Sequence, residues 1–588
     1  AGAPWEVTYR QGTEYVPAGN DGADHILKLK RMALDAGFDV PLYSCTGWLG
    51  SPIPEGEVLP MQGGYFFTPW IPDSDFQQPP TREFLFRNRH QNPVINGKPT
   101  YDPMQYPYAC CEIGGGTQDT YFQRNRVPPE AVEGLAFMNL ADGANLIGYY
   151  MYHGGTNPVG KHAFLNEYTV PRLSYDFQAP LREFGQVVPS FGALRLLHTF
   201  LKDFGDLLAP MHVSLPGNAG SIVPEDTSTV RCVVRSADGS GFLFLNNYQD
   251  HVEMQDIDGL RFELNTSQGT VTIPQSDTLT LKKHVSAILP FGLSLSGVRL
   301  HYATTQLLAK LEAEDVISYF FFAPHGMISE YVLDSTTYHS LHVDGGSATE
   351  SHGSTVIRIT PETEAVITLT TQNTQTVRIF TLTREQAKRT SKQTLWGKTY
   401  LTISDATVVA AGDDCWLYGR EPEVELLVYP ALDTALTNNG KTISSNDEGL
   451  FTRYQISVPE QTIDLHIEQL SPDKAIVSVS PELLTGLDNV YLSVDYVGDI
   501  GSCYIDGKLV HDNFWNGTLW ELGLKQLLKS PEEVEMFFAI TPTRRVSKNP
   551  SVSSSTLAYV PPAVEVGEAV IHAIKAIPEY KVVLKASS

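Results

Sequence analysis

The chain has no C-x-x-C spacing. Its six cysteines, Cys45, Cys110, Cys111, Cys232, Cys415 and Cys503, are scattered apart from one adjacent pair. This disfavours a zinc site or a dithiol redox motif. Neighbouring strand residues face opposite ways, so Cys110 and Cys111 would not chelate one ion, and buried free thiols are expected. No apolar run approaches the ~20 residues that a bilayer span needs. Charge is sparse, at 19% of residues, and 42 Lys and Arg against 67 Asp and Glu leave a formal −25. Such a surface disfavours nucleic acid and anionic membranes as partners and fits a neutral substrate. Neither a signal peptide nor an initiating Met precedes "AGAPWEV", so removal of an upstream segment is expected.

The rest of the composition is that of a globular protein: 588 residues, 42% of them apolar, with 27 Tyr, 26 Phe and 7 Trp. At ~150 residues per domain, three or four domains are expected. Residues 1–205 read as α/β. "DGADHILKLKRMALDAGF" places Ile26, Leu29, Met32, Ala33 and Ala36 on one helical face, with Asp21 or Asp24 to cap its start and Gly37 its end. "PPEAVEGLAFMNLADGA" is a second helix with Pro129 in its first turn, and "FGALRLLHTFLKDFG" a third, apolar at Leu194, Leu197, Phe200, Leu201 and Phe204. Five strands are expected, around Val7–Gln11, Val40–Ser44, Val58–Met61, Tyr106–Cys111 and Asn145–Tyr152. Strands alternating with helices imply a parallel sheet, and an eight-stranded barrel would lack three of its strands. Beyond residue 206, alternating runs such as "GFLFLNNYQ", "VISYFFFAP" and "VYLSVDYVG" replace the helices, and Asp506–Gly507 reads as a hairpin turn. Sandwich-type β domains are expected at 206–300, 301–405 and 406–588, the last a jelly roll.

The stretch "CCEIGGGTQDTYFQRN" places one carboxylate, Glu112, at the exit of a strand. It lacks the Lys of a phosphate loop, a Gly-x-Gly-x-x-Gly pattern, a nearby His for a metal and a Gly-x-Ser-x-Gly elbow. Two readings remain: a catalytic carboxylate at the C-terminal end of a barrel strand, or a structural ion pair with Arg124 or Arg126. Carboxylate pairs perform glycoside hydrolysis, with aromatic and amide groups around them to hold a sugar. "YYMYHGGTNP" offers Tyr150, Tyr152, His153 and Asn157, and "LSYDFQAPLREFGQ" offers Tyr175, Asp176 and Gln178.

"YMYHGGTN" followed by "SYDFQAPLREFG" resembles the paired signature of glycoside hydrolase family 35, the β-galactosidases. Downstream, "GFLFLNNYQDH", "LPFGLSLSGVRLHYATTQLL" and "YFFFAPHG" resemble the β regions that follow the barrel in bacterial members, and "VGDIGSCYIDGKLVHDNFWNGTLWELGL" is similar to their terminal jelly roll. The resemblance implies a TIM-type barrel, of which strands four to eight are legible here, followed by β-sandwich and jelly-roll domains. It puts Glu112 in the place of the nucleophile at the end of strand seven. It puts Glu14, followed by Tyr15, in the place of the acid/base, where Thr13 stands for the family's Asn and Gly12 for its first Glu. Tyr150 and Tyr175 match positions that line the galactose, with Thr13 beside them. Asp176 and Asn157 are expected to support loop geometry. His153 is either a pocket residue or a core histidine, and Trp515 and Trp520 are expected in a sandwich core. The Asn265 and Asn516 sequons point to nothing by themselves.

The implied activity is that of a retaining exo-β-galactosidase acting on β-galactoside oligosaccharides or polysaccharide side chains, secreted or periplasmic, without metal or organic cofactor. A second reading stays open beside it: a catalytically incomplete carbohydrate-binding or assembly subunit of the same fold. In either case an N-terminal segment, a separate chain or a second copy is expected to complete the barrel.

Overall fold

A computed structural model of the chain describes residues 22–44, 53–68, 71, 78–92, 101–162, 164, 169–313, 315–360, 363–529, 531–543 and 567–587. The expected strand around Val7–Gln11, and with it Thr13 and Glu14, lies outside the described residues, as do Cys45 and Trp48.

The α/β part begins with helix α1 (Gly22–Asp35) and strand β1 (Tyr43–Ser44), followed by β2 (Leu59–Pro60), β3 (Gln62–Gly64) and β4 (Ala109–Ile113). Helix α2 (Pro129–Ala141), strand β5 (Leu146–Tyr149), the short pair β6 (Gly155–Thr156) and β7 (Ser174–Tyr175), and helix α3 (Pro189–Leu208) complete it. β1 pairs with β2, β3 with β4 and β4 with β5, all parallel. β2 and β3 are one run of chain interrupted only at Met61, so four staves lie side by side in sequence order. They form a two-stranded and a three-stranded parallel sheet joined by that run of chain, and among the described residues these do not close.

Pro129 opens α2 at its first position, where its missing N–H costs nothing. Ten residues of α2 are buried. α3 buries Leu194, Leu197, Phe200 and Phe204, as its periodicity predicts. α1 departs from expectation: Leu29 is 50% and Met32 58% exposed, so the face read as core is open.

Residues 212–382 form an eight-stranded sheet and a five-stranded sheet. The strands Ser286–Leu295 and Val298–Ala303 are antiparallel neighbours, so pairing runs unbroken through residue 300. Lys398–Ile403 likewise pairs with Glu423–Tyr429, joining the two sides of residue 405. One core unites the α/β part with the first β module, through the Phe137–Phe244 and Phe200–Phe242 ring contacts. The buried Arg235 guanidinium donates to Leu140 O at the end of α2 and to Leu208 O at the end of α3. A cation there meets carbonyls that lack helical partners and the negative ends of both dipoles.

At the C-terminus the 17-residue strand Val570–Ala586 pairs with Asp414–Gly419 and Leu436–Asn438 through one half and with Asn489–Val497 through the other. It thereby ties two β modules together. In the terminal module, Ile500–Ile505 and Lys508–Phe514 form the expected hairpin, with Asp506 at φ 51° and Gly507 at φ 71°. Both central residues at positive φ make a turn that suits a right-twisted hairpin. Trp515 and Trp520 pack in this module's core, as expected. No described helix is long and apolar enough to cross a membrane.

Candidate active site

β4 carries Glu112 one residue before its C-terminal end, between β3 and β5. Gln62 pairs with Cys110 and Gly63 with Glu112 on one side; on the other, Cys110 pairs with Ile147 and Ile113 with Tyr149. Both neighbours thus step past one extra residue of β4. Strict alternation would turn Glu112 to the face of Cys110, whose thiol is buried against Asn139 of α2 at 3.4 Å. The bulge breaks that alternation, a common device for re-aiming a side chain beside a site. Glu112, half-buried, accepts the Tyr65 hydroxyl proton at 2.9 Å.

Tyr65 follows β3 directly, and the Gly114 N–H donates to Gly64 O at 3.0 Å, holding the two strand exits level. On the other flank the Tyr150 N–H donates to Ile113 O at 2.9 Å. The Tyr150 and Tyr175 hydroxyls meet at 2.9 Å, and both rings lie against Phe177. The fold therefore gathers Tyr65, Glu112, Tyr150 and Tyr175 at one edge of the parallel sheet. Tyr65 was missed from sequence; its signal was an aromatic just past the end of the neighbouring strand. Glu14 and Thr13, the expected acid/base and its neighbour, fall outside the described residues.

The glycines after Glu112 serve backbone approach. A Cβ on Gly115 would sit 2.1 Å from Met151 O, and one on Gly116 2.2 Å from Phe177 O. Glycine here lets the loops after β4, β5 and β7 pack backbone to backbone. Gln118 fastens the same contact, accepting from the Phe177 N–H at 3.0 Å.

The two arginines considered as ion-pair partners of Glu112 reach the terminal module. Arg124 pairs with Asp499 at 2.6 Å and lies over the Phe514 ring, and Arg126 donates to the Asn516 and Gly517 carbonyls. Asn516 is buried, its amide donating to Asp119 and to Asn125 O, so its sequon lies inside a packed seam. Burial pushes the Asp119 carboxyl up to about 7, against the pull of the Asn125 N–H and Arg124. Burial also works to raise Asp176, but Arg182 and the N–H groups of Glu183 and Gln178 hold it below the usual carboxylate range. Asp176 thereby closes the turn after β7. His153, read as a pocket or core residue, is exposed, its ring bonded to the neighbouring Gly154 carbonyl. Among the described residues no group of three or more His, Cys, Asp or Glu could hold a metal ion.

Residues 77–201 match the family Glycosyl hydrolases family 35, and residues 216–390 match Beta-galactosidase, domain 2. The probable beta-galactosidase C of Aspergillus niger is 27% identical over 221 residues, 37% of this chain and 21% of its own length. The probable beta-galactosidase C of Sclerotinia sclerotiorum is 28% identical over 219 residues, again 37% and 21%. The probable beta-galactosidase B of Aspergillus terreus is 24% identical over 199 residues, 33% and 18%. The matched stretch thus spans about a fifth of each relative's length. Among solved structures, a rhamnosidase from Novosphingobium sp. PP1Y reaches a TM-score of 0.15 at 9% identity over 31% of this chain and 25% of its own. A gamma-CGTase from alkalophilic Bacillus clarkii reaches 0.22 at 12% identity over 78% and 67%. Scores this low carry no argument about fold. Both family matches point toward the glycoside hydrolases. Over residues 77–201 the chain is similar to glycosyl hydrolases family 35, and over residues 216–390 to the second domain of beta-galactosidases.

Proposed function

We propose that the chain is a retaining exo-β-galactosidase-type glycosidase, with Glu112 as its nucleophile. The Glu112 carboxylate attacks the anomeric carbon and forms a glycosyl-enzyme ester as the bond to the leaving oxygen breaks. Glu14 protonates that oxygen, then takes a proton from the water that releases the sugar. Retention of this kind needs the two carboxylates about 5–5.5 Å apart. Tyr150 and Tyr175 line the sugar, and Thr13 lies beside the acid/base. The observation that carries this reading is the Tyr65–Glu112 hydrogen bond at the sheet's C-terminal edge, beside the Tyr150–Tyr175 pair.

The test is hydrolysis of 4-nitrophenyl β-galactoside. Glu112→Gln should lower kcat at least about 10³-fold, a barrier increase of about 4 kcal/mol. Glu112→Gly should regain turnover with added azide and yield an α-galactosyl azide. Activity surviving Glu112→Gln would remove the nucleophile assignment. Other aryl β-glycosides in the same assay test the galactose preference.

A second reading has its own observation. The run of staves, open among the described residues, and the exposed Leu29 and Met32 of α1 suit a carbohydrate-binding or assembly subunit whose barrel is completed by another segment, chain or copy. Galactoside binding without turnover, together with mixed-chain complexes on native mass spectrometry, favours it.

A further inference from the structure

The stretch Arg172–Gln186 belongs to the α/β part by sequence, yet the terminal β module holds it. The strand Lys508–Phe514 supplies two adjacent anchors. The Asp512 carboxylate, 3% exposed, accepts the N–H groups of Arg172 at 2.6 Å, Leu173 at 2.9 Å and Ser174 at 3.0 Å. His511 Nε2 lies 2.8 Å from Glu183 Oε2, and Trp520 Nε1 lies 2.9 Å from His511 Nδ1. An indole can only donate, so Nδ1 accepts and Nε2 carries the proton toward Glu183. Glu183 also accepts from the Ser174 hydroxyl at 2.6 Å and from that of Thr156. The Phe184 ring joins the terminal module's core with Tyr491, Trp520 and Leu522.

These anchors reach the candidate site by a short path. β7 pairs with β6, Gly155 opposite Tyr175, and the Asn157 N–H donates to Leu173 O at 2.7 Å. The Tyr175 hydroxyl meets that of Tyr150, whose N–H is bonded to the carbonyl of Ile113, next to Glu112. Three successive N–H groups on one buried carboxylate fix the direction of the backbone that presents Tyr175, because a buried donor left without an acceptor is costly.

We propose that the terminal β module is a working part of the candidate site and that Asp512 is a positioning residue that acts through Tyr175. The proposal rests on the glycosidase reading above, and its test separates the two. Asp512→Asn keeps the side chain's shape but replaces one acceptor oxygen with a donor. In the full chain, amide hydrogen exchange at Arg172–Ser174 should accelerate. On an aryl β-galactoside, kcat/KM should fall about tenfold, the size of one lost charge-assisted hydrogen bond. In a Tyr175→Phe background the same change should cost less than about twofold, since residues acting as one unit are not additive. Lys525→Met, which breaks the Lys525–Asp488 pair elsewhere on the module, should leave kcat/KM within about twofold.

Equal losses with and without Tyr175, a comparable loss in Lys525→Met, or unchanged exchange at Arg172–Ser174 would each overturn the positioning role. If the wild-type chain hydrolyses no aryl β-glycoside, the glycosidase reading fails by itself. Exchange then decides the clamp alone: acceleration in Asp512→Asn supports it, and no change overturns it.

Discussion

Glu112 owes its place to two neighbours that no motif announces. Tyr65 donates to its carboxylate, and the extra residue in β4 aims that carboxylate at Tyr65. Tyr65→Phe should lower kcat/KM on an aryl β-galactoside about tenfold, the usual size for one hydrogen bond to a charged group. An unchanged value would separate Tyr65 from the chemistry. Asp119, pushed up to about 7 by burial, makes a second residue-scale prediction. The folded chain binds a proton there that the unfolded chain releases above its ordinary value of 3.8. Stability from this group is therefore fully present below pH about 4 and is lost as pH rises through about 7. Unfolding midpoints between pH 4.5 and 8 should fall less steeply in Asp119→Asn than in wild type. Both residues were hard to read from sequence. Tyr65 is marked only by its place just past a strand, and an aspartate's ionisation depends on what buries it.

At the scale of elements, the loops after β4, β5 and β7 are packed so closely that glycine alone fits between them. Gly115→Ala or Gly116→Ala should destabilise the fold by about 3 kcal/mol, because the new methyl meets carbonyl oxygens that belong to backbone. Thermal unfolding reads the loss; a midpoint within a degree of wild type would contradict the packing. The helices were legible in advance, since Pro129 and the apolar spacing of α3 are local signals. β3 was not. Gln62–Gly64 has little strand propensity, and its pairing with β4 supplies what its own residues lack. The three glycines after Glu112 carry no local sign of the loops packed against them, which became visible only once folded.

Across the whole molecule, the site and the terminal module form one unit. Arg124, its side chain 12% exposed, bonds to the Asp499 carboxylate and to the Asp499 and Trp515 carbonyls. Arg124→Ala would strand Asp499 in the seam and should cost about 3 kcal/mol, the lower end for breaking a buried pair. Unfolding by urea measures it, and limited proteolysis should show the terminal module released first. No local pattern predicted this seam, because its partners stand 375 residues apart.

The amino-acid sequence by itself determined the order of the chain: α/β first, then β modules, with helix ends, hairpin turns and a paired signature that points to family 35. These are local matters of periodicity, capping and turn chemistry, and of residues close in the chain. Tertiary structure alone decided which way Glu112 faces, what the glycines are for, and that the signature loop is fastened to a distant strand. Those outcomes depend on contacts between segments hundreds of residues apart, where register, burial and close backbone approach are settled only when the modules pack.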